Sequence, residues 1–95
     1  MVKDIIIYIG ECPNKDIDNK KYNATILKVM EGSGIEYDFH PKTYRAHGMS
    51  QIELHLENGD YEEHKVIARG LVSKLKSQGI NIKNILDFRG KSVLK

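Results

Sequence analysis

The chain has 95 residues, of which 40% are hydrophobic and 29% charged, and its formal net charge is +2. This is the length of one domain with a single core, and the apolar share excludes a chain kept disordered by composition alone. No apolar run approaches the ~20 residues of a membrane span, and the lone cysteine excludes an internal disulfide. The flanks of "MVKDIIIYIG" do not fit a signal peptide, so a single soluble cytoplasmic domain over residues 1–95 is expected.

The net charge conceals an asymmetry along the chain. Residues 1–35 carry five bases and five acids. Residues 36–64 carry seven acids against Lys42 and Arg45, and residues 65–95 carry eight bases against Asp87. Such segments either attract one another within the fold or present faces of opposite sign to a partner.

The first element is the strand Ile5 to Ile9, whose near-continuous apolar run suits a central position in a sheet. The stretch "ECPNKDIDN" is a loop, broken by proline, asparagines and acids. Asp18 or Asn19 caps a helix with apolar positions Tyr22, Ile26, Leu27, Val29 and Met30, and the "GSG" at Gly32 to Gly34 ends it. "IEYDFH" alternates, with Ile35, Tyr37 and Phe39 on one side and Glu36, Asp38 and His40 on the other. The loop "PKTYRAHG" is basic and aromatic.

"QIELHLE" alternates again, with Ile52, Leu54 and Leu56 inward and Gln51, Glu53, His55 and Glu57 outward. Asp60, with Glu63 three residues on, opens a second helix in the manner of a capping box. That helix places Ile67, Ala68, Leu71, Val72 and Leu75 on one face and stops at Gly79. "NILDF" reads as the last strand and "RGKSVLK" as a basic tail. The order β-α-β-β-α-β predicts an α+β two-layer sandwich with a four-stranded antiparallel sheet, the ferredoxin-like arrangement.

Two resemblances attach to the opening strand. "IYIGEC", Ile7 to Cys12, resembles the six-residue motif of the RNA-recognition motif family, in which the position held by Tyr8 stacks a base. The second motif of that family would fall on "HGMSQIEL", which keeps Gly48 but has no aromatic, and the outward Glu53, His55 and Glu57 repel phosphate. A standard RNA-recognition motif is therefore not expected. "IIIYIGECPNK" also resembles the start of a glutaredoxin, which implies a reactive Cys12 at a helix N-terminus and a degenerate thioredoxin-like fold as the alternative architecture. Lys15 stands where the second cysteine would be, and the helix begins near Asn19.

Three groups of residues could carry function. Lys65, Arg69 and Lys76 fall within about 40° of one another around the second helix. With Lys42, Tyr44, Arg45 and His47 of the 41–48 loop they could hold nucleic acid. A solvated helix flank would show the same pattern. Asp38, His40, Glu53, His55 and Glu57 share one sheet face. They could form a metal or acid–base group, or a docking face for a basic protein or a second copy, although any solvated sheet face alternates in this way. His40 and His47 could serve ribonuclease-like cleavage if the fold joined them. There is no HExxH, CxxC pair or phosphate loop. The expectation is a non-catalytic binding or regulatory module without a cofactor, which holds nucleic acid or a ribonucleoprotein through the second helix and the 41–48 loop. The alternatives are a protein-interaction or inhibitor module, homodimeric or not, that uses the acidic sheet face, and a degenerate thioredoxin-like or His- or metal-dependent nuclease-type enzyme.

Overall fold

The computed structural model describes residues 3–41, 50–56, 59–87 and 89–93. Its elements are β1 (Lys3–Ile9), α1 (Asn19–Ser33), β2 (Tyr37–His40), β3 (Ser50–Leu56), α2 (Tyr61–Ser77) and β4 (Ile82–Leu86). The sheet order is β2-β3-β1-β4 and each neighbouring pair is antiparallel. This is the ferredoxin-like α+β sandwich that the order of elements predicts.

The isoleucine run is central, as its apolar character suggests. Ile5, Ile7 and Ile9 are buried, and they join Ile52, Leu54, Leu56 and Ile85 in one core with residues of both helices. The alternate residues Ile6 and Tyr8 are half-buried on the other face. β1 therefore has one covered face and one open face. A register shift between Tyr8 and Ile9 marks a bulge against β4. It coincides with Gly10, where a Cβ would come within 2.6 Å of Asn81 Nδ2 and 2.7 Å of Lys83 Cε, so that a larger residue there would have to displace the ends of those two side chains.

α1 starts where its cap predicts. Asp18 accepts a hydrogen bond from the Lys21 amide at 2.8 Å, and Tyr22, Ile26 and Met30 face the core. Val29 is partly buried and packs against the same cluster. Gly34 closes the helix in the left-handed conformation, φ 72°.

α2 is capped by Asp60, which accepts from the Glu63 amide at 2.9 Å. Its buried residues are His64, Ala68, Leu71, Val72 and Leu75. The inward placement expected of Ile67 is corrected here, because Ile67 is 37% exposed and His64 is 2% exposed. The core stripe runs at intervals of four, three, one and three residues from position 64, which puts Ile67 on its margin.

The C-terminal segment departs from the expected strand and basic tail. β4 begins earlier, at Ile82, and ends at Leu86. Asp87 then turns the chain back, with Oδ1 accepting from the Arg89 and Lys91 amides at 2.8 and 2.9 Å. Val93 is buried, its amide donates to the Ile85 carbonyl at 2.8 Å, and Ser92 bridges Leu86. Residues 89–93 thus form a short strap along the β4 edge.

Candidate functional site

The strand registers assemble two rows of side chains across the open face of the sheet. One row runs Asp38, Glu53, Ile6, Leu86 from β2 to β4, and the next runs His40, Gln51, Tyr8, Asn84. Alternation dictates this, because directly opposed residues in antiparallel strands point to the same side. The half near β2 is charged. The half near β4 holds Ile6, Leu86 and the ring of Tyr8, all half-buried.

Two histidine–carboxylate pairs bind the charged half together. His40 Nε2 lies 2.9 Å from Glu53 Oε2, and His55 Nε2 lies 2.8 Å from Asp38 Oδ2. Both pairs run diagonally, because Asp38 and Glu53 are themselves directly opposite and their like charges turn each carboxylate toward a histidine. Four of the five residues singled out on this face are thus brought together, and Glu57 lies outside the described residues. Among the described residues no three His, Cys, Asp or Glu side chains form a metal-binding group. Between these four described residues the contacts are two hydrogen-bonded pairs.

The basic row on α2 is held by internal contacts. Arg69 donates from Nε and Nη2 to the Val93 carbonyl at 3.2 and 3.1 Å, which fastens the C-terminal strap to the helix. Lys65 Nζ lies 2.8 Å from Glu62 Oε1 and 4.9 Å from the centre of the Tyr61 ring. Lys76 is exposed in the last turn. Lys42, Tyr44, Arg45 and His47 lie outside the described residues, and the His40/His47 pairing lies outside them with His47.

Cys12 is in the loop before α1, six residues ahead of the N-cap Asp18, and not at the helix N-terminus that the glutaredoxin resemblance implies. Its thiol donates to the Asn14 carbonyl at 3.2 Å and its side chain packs against the core. Tyr8 is neither a core residue nor at a sheet edge. It stands on the open face of the central strand, between Gln51 and Asn84.

Sequence reasoning missed the group around Asp87. The Tyr61 hydroxyl donates to Asp87 Oδ2, and Arg89 lies 3.4 Å from the same oxygen and 5.1 Å from the centre of the Tyr61 ring. The Asp87 side chain is fully buried. Burial alone would push its pKa up, but the Tyr61 hydroxyl, the Lys91 and Arg89 amides and the Arg89 charge outweigh it and hold the carboxyl at about 2. The only sequence signal was an acid placed alone in a basic segment. No pattern of spacing marks a tyrosine 26 residues away as its partner.

Comparison with protein-family models, with curated proteins and with solved structures gives no match. No helix among the described residues is long and apolar enough to cross a membrane. The class defined by fold and face together is a small ferredoxin-like sandwich with an open, part-apolar, part-ionic sheet surface.

Proposed function

We propose that this chain is a non-catalytic protein-interaction module that docks a basic protein surface on the open face of its sheet. The observation that carries this reading is the make-up of the two cross-strand rows. The carboxylates of Asp38 and Glu53 already have hydrogen-bond partners within the face, and Ile6, Tyr8 and Leu86 continue the same rows. Partnered carboxylates keep hydrogen bonds when a partner excludes water, whereas lone ones lose them. The apolar half gains from burial, and a tyrosine beside it suits an interface core. The carboxylates of Asp38 and Glu53 favour a partner that brings lysine or arginine to its rim.

The experiment compares two variants in affinity capture followed by direct binding of the identified partner. Tyr8→Ser with Leu86→Ser alters the open face, and Lys65→Glu with Lys76→Glu alters the helix. Loss of a basic partner with the first pair and retention with the second support the reading. The reverse outcome overturns it.

A second reading places nucleic acid along the helical layer. It is favoured by the exposure of Lys76 and by Lys28 and Lys74, which line a cleft between the helices. Salt-sensitive binding of short RNA or single-stranded DNA, weakened by Lys76→Glu, is its test.

A further inference from the structure

The solvent side of α2 carries a pattern that no packing among the described residues accounts for. Val66, near the middle of the helix, is 67% exposed, and Ile67 beside it is 37% exposed. Four residues beyond Val66 stands Gly70, where an added Cβ would meet nothing within 4 Å. Its φ is not positive. Among the described residues neither a turn nor a close approach calls for glycine here, and glycine weakens a helix relative to alanine.

Glu63, Val66, Gly70, Lys74 and Ser77 follow one another at intervals of three or four residues, and so form one stripe along the helix. The stripe is acidic at its N-terminal end and basic at its C-terminal end. The basic end opens into a cleft of about 380 Å³ lined by Lys28, Val29, Gly32, Lys74 and Ser77 among others.

We propose that this stripe is a homodimer interface, in which α2 packs antiparallel against α2 of a second copy across Gly70. A two-fold axis at Gly70 makes the stripe self-complementary. Glu63 lies seven positions before the axis and Lys74 four after it. Rotation therefore sets Glu63 of each chain against Lys74 of the partner subunit, about 5 Å apart along the helix at 1.5 Å per residue. A lysine side chain spans that offset. Lys28 adds a second cation on the wall of the same cleft.

Val66 and Ile67 then lose their exposure against the partner helix, and the missing side chain at Gly70 lets the two backbones approach at the short end of the usual ~8–10 Å spacing. One helix pair is a small interface, so association is concentration-dependent and falls in the micromolar range.

Sedimentation equilibrium on the full chain across the micromolar range is the test. The expected result is a monomer–dimer equilibrium that Val66→Asp and Lys74→Glu each weaken at least about tenfold. Glu63→Lys combined with Lys74→Glu restores it, because the reversed charges still face each other. Gly70→Ala raises the thermal midpoint of the monomer and weakens the dimer, a pair of opposite shifts that a purely structural glycine would not give. Tyr8→Ser on the open sheet face leaves the equilibrium unchanged, which separates this surface from the protein-docking face. A monomer throughout the range, or a dimer indifferent to Val66→Asp and to the charge reversals, overturns the proposal.

Discussion

Asp38 and Glu53 occupy opposed register positions on β2 and β3, so that two carboxylates face each other across neighbouring strands. Like charges so placed destabilise a sheet. Each carboxylate instead reaches diagonally to a histidine, Asp38 to His55 at 2.8 Å and Glu53 to His40 at 2.9 Å. The four side chains form a ladder in which the histidines offset the repulsion between the acids.

Removing a histidine and removing an acid should therefore have different effects. His55→Ala leaves Asp38 facing Glu53 without its partner and is expected to cost about 0.5–1 kcal/mol. Glu53→Gln loses one pair but also removes the repulsion, so its cost stays within about 0.5 kcal/mol. Urea unfolding at low and high salt checks both, with the difference between the variants shrinking as salt screens the exposed charges. Equal costs that do not respond to salt would refute the ladder.

The Asp87 carboxyl, held at about 2 by Tyr61, the two turn amides and Arg89, makes a prediction about acid stability. Its folded pKa lies below that of the unfolded chain, so between the two values the unfolded state binds more protons and stability rises with pH. The contribution is fully present above the usual carboxylate range and is lost as pH falls through about 2. Chemical denaturation from pH 6 to pH 2 should show a decline that is shallower in Asp87→Asn. At neutral pH the same variant is expected to be less stable by about 1–3 kcal/mol, because an amide NH2 replaces one of the two oxygens that accept from the turn amides, Tyr61 and Arg89. Tyr61→Phe, which keeps the ring against Lys65 and Arg89, should cost less. An Asp87→Asn variant that matches the parent at both ends of the pH range would contradict the geometry.

These features differ in how far the sequence discloses them, for physical reasons. β1, β3 and the helix caps at Asp18 and Asp60 follow from local rules, because a two-residue period or a capping side chain acts within a few positions. The shared face of Asp38, His40, Glu53 and His55 is also legible, since alternation fixes facing once two strands are assumed to pair. What local rules cannot provide is register. The pairing of Asp38 with His55 instead of His40, the extension of the charged row into Ile6 and Leu86, and the reach of Tyr61 to Asp87 all depend on how distant strands slide past one another. The C-terminal strap was hidden for the same reason. "RGKSVLK" reads as a basic tail until the turn at Asp87 lays Val93 against the core.

Tyr22 joins three segments through one hydroxyl. It accepts from the Asn81 amide at 2.8 Å and donates to the Gly10 carbonyl at 3.3 Å, which ties the first turn of α1 to the end of β1 and the entry to β4. Burial is the largest influence on this phenol and raises its pKa. Tyr22→Phe keeps the ring but leaves the Asn81 amide without its acceptor, at an expected cost of about 1–2 kcal/mol. On a chain of this size that lowers the melting temperature by roughly 5–15 °C. Faster hydrogen exchange should appear at Asn81 and Tyr22 before it appears in β3. Uniform change across the sheet would show that the hydroxyl acts through the whole core instead.

Gly32 and Gly34 lie two residues apart, and alanine should act on them with opposite signs. Gly32 is within α1, exposed, and an added Cβ would meet nothing within 4 Å. Alanine there removes conformational freedom from the unfolded chain and improves helix propensity, so the domain gains up to about 0.5–1 kcal/mol. Gly34 has equally open surroundings, but its φ is 72°. A side chain at that angle crowds its own backbone, so Gly34→Ala should cost about 1 kcal/mol or somewhat more. Thermal melts of the two single variants and the double variant check this, with the double near the sum if helix and cap act independently. A loss of stability from Gly32→Ala would mean that the C-terminal turn of α1 is not the regular helix seen here. A gain from Gly34→Ala would mean that the helix continues past its cap.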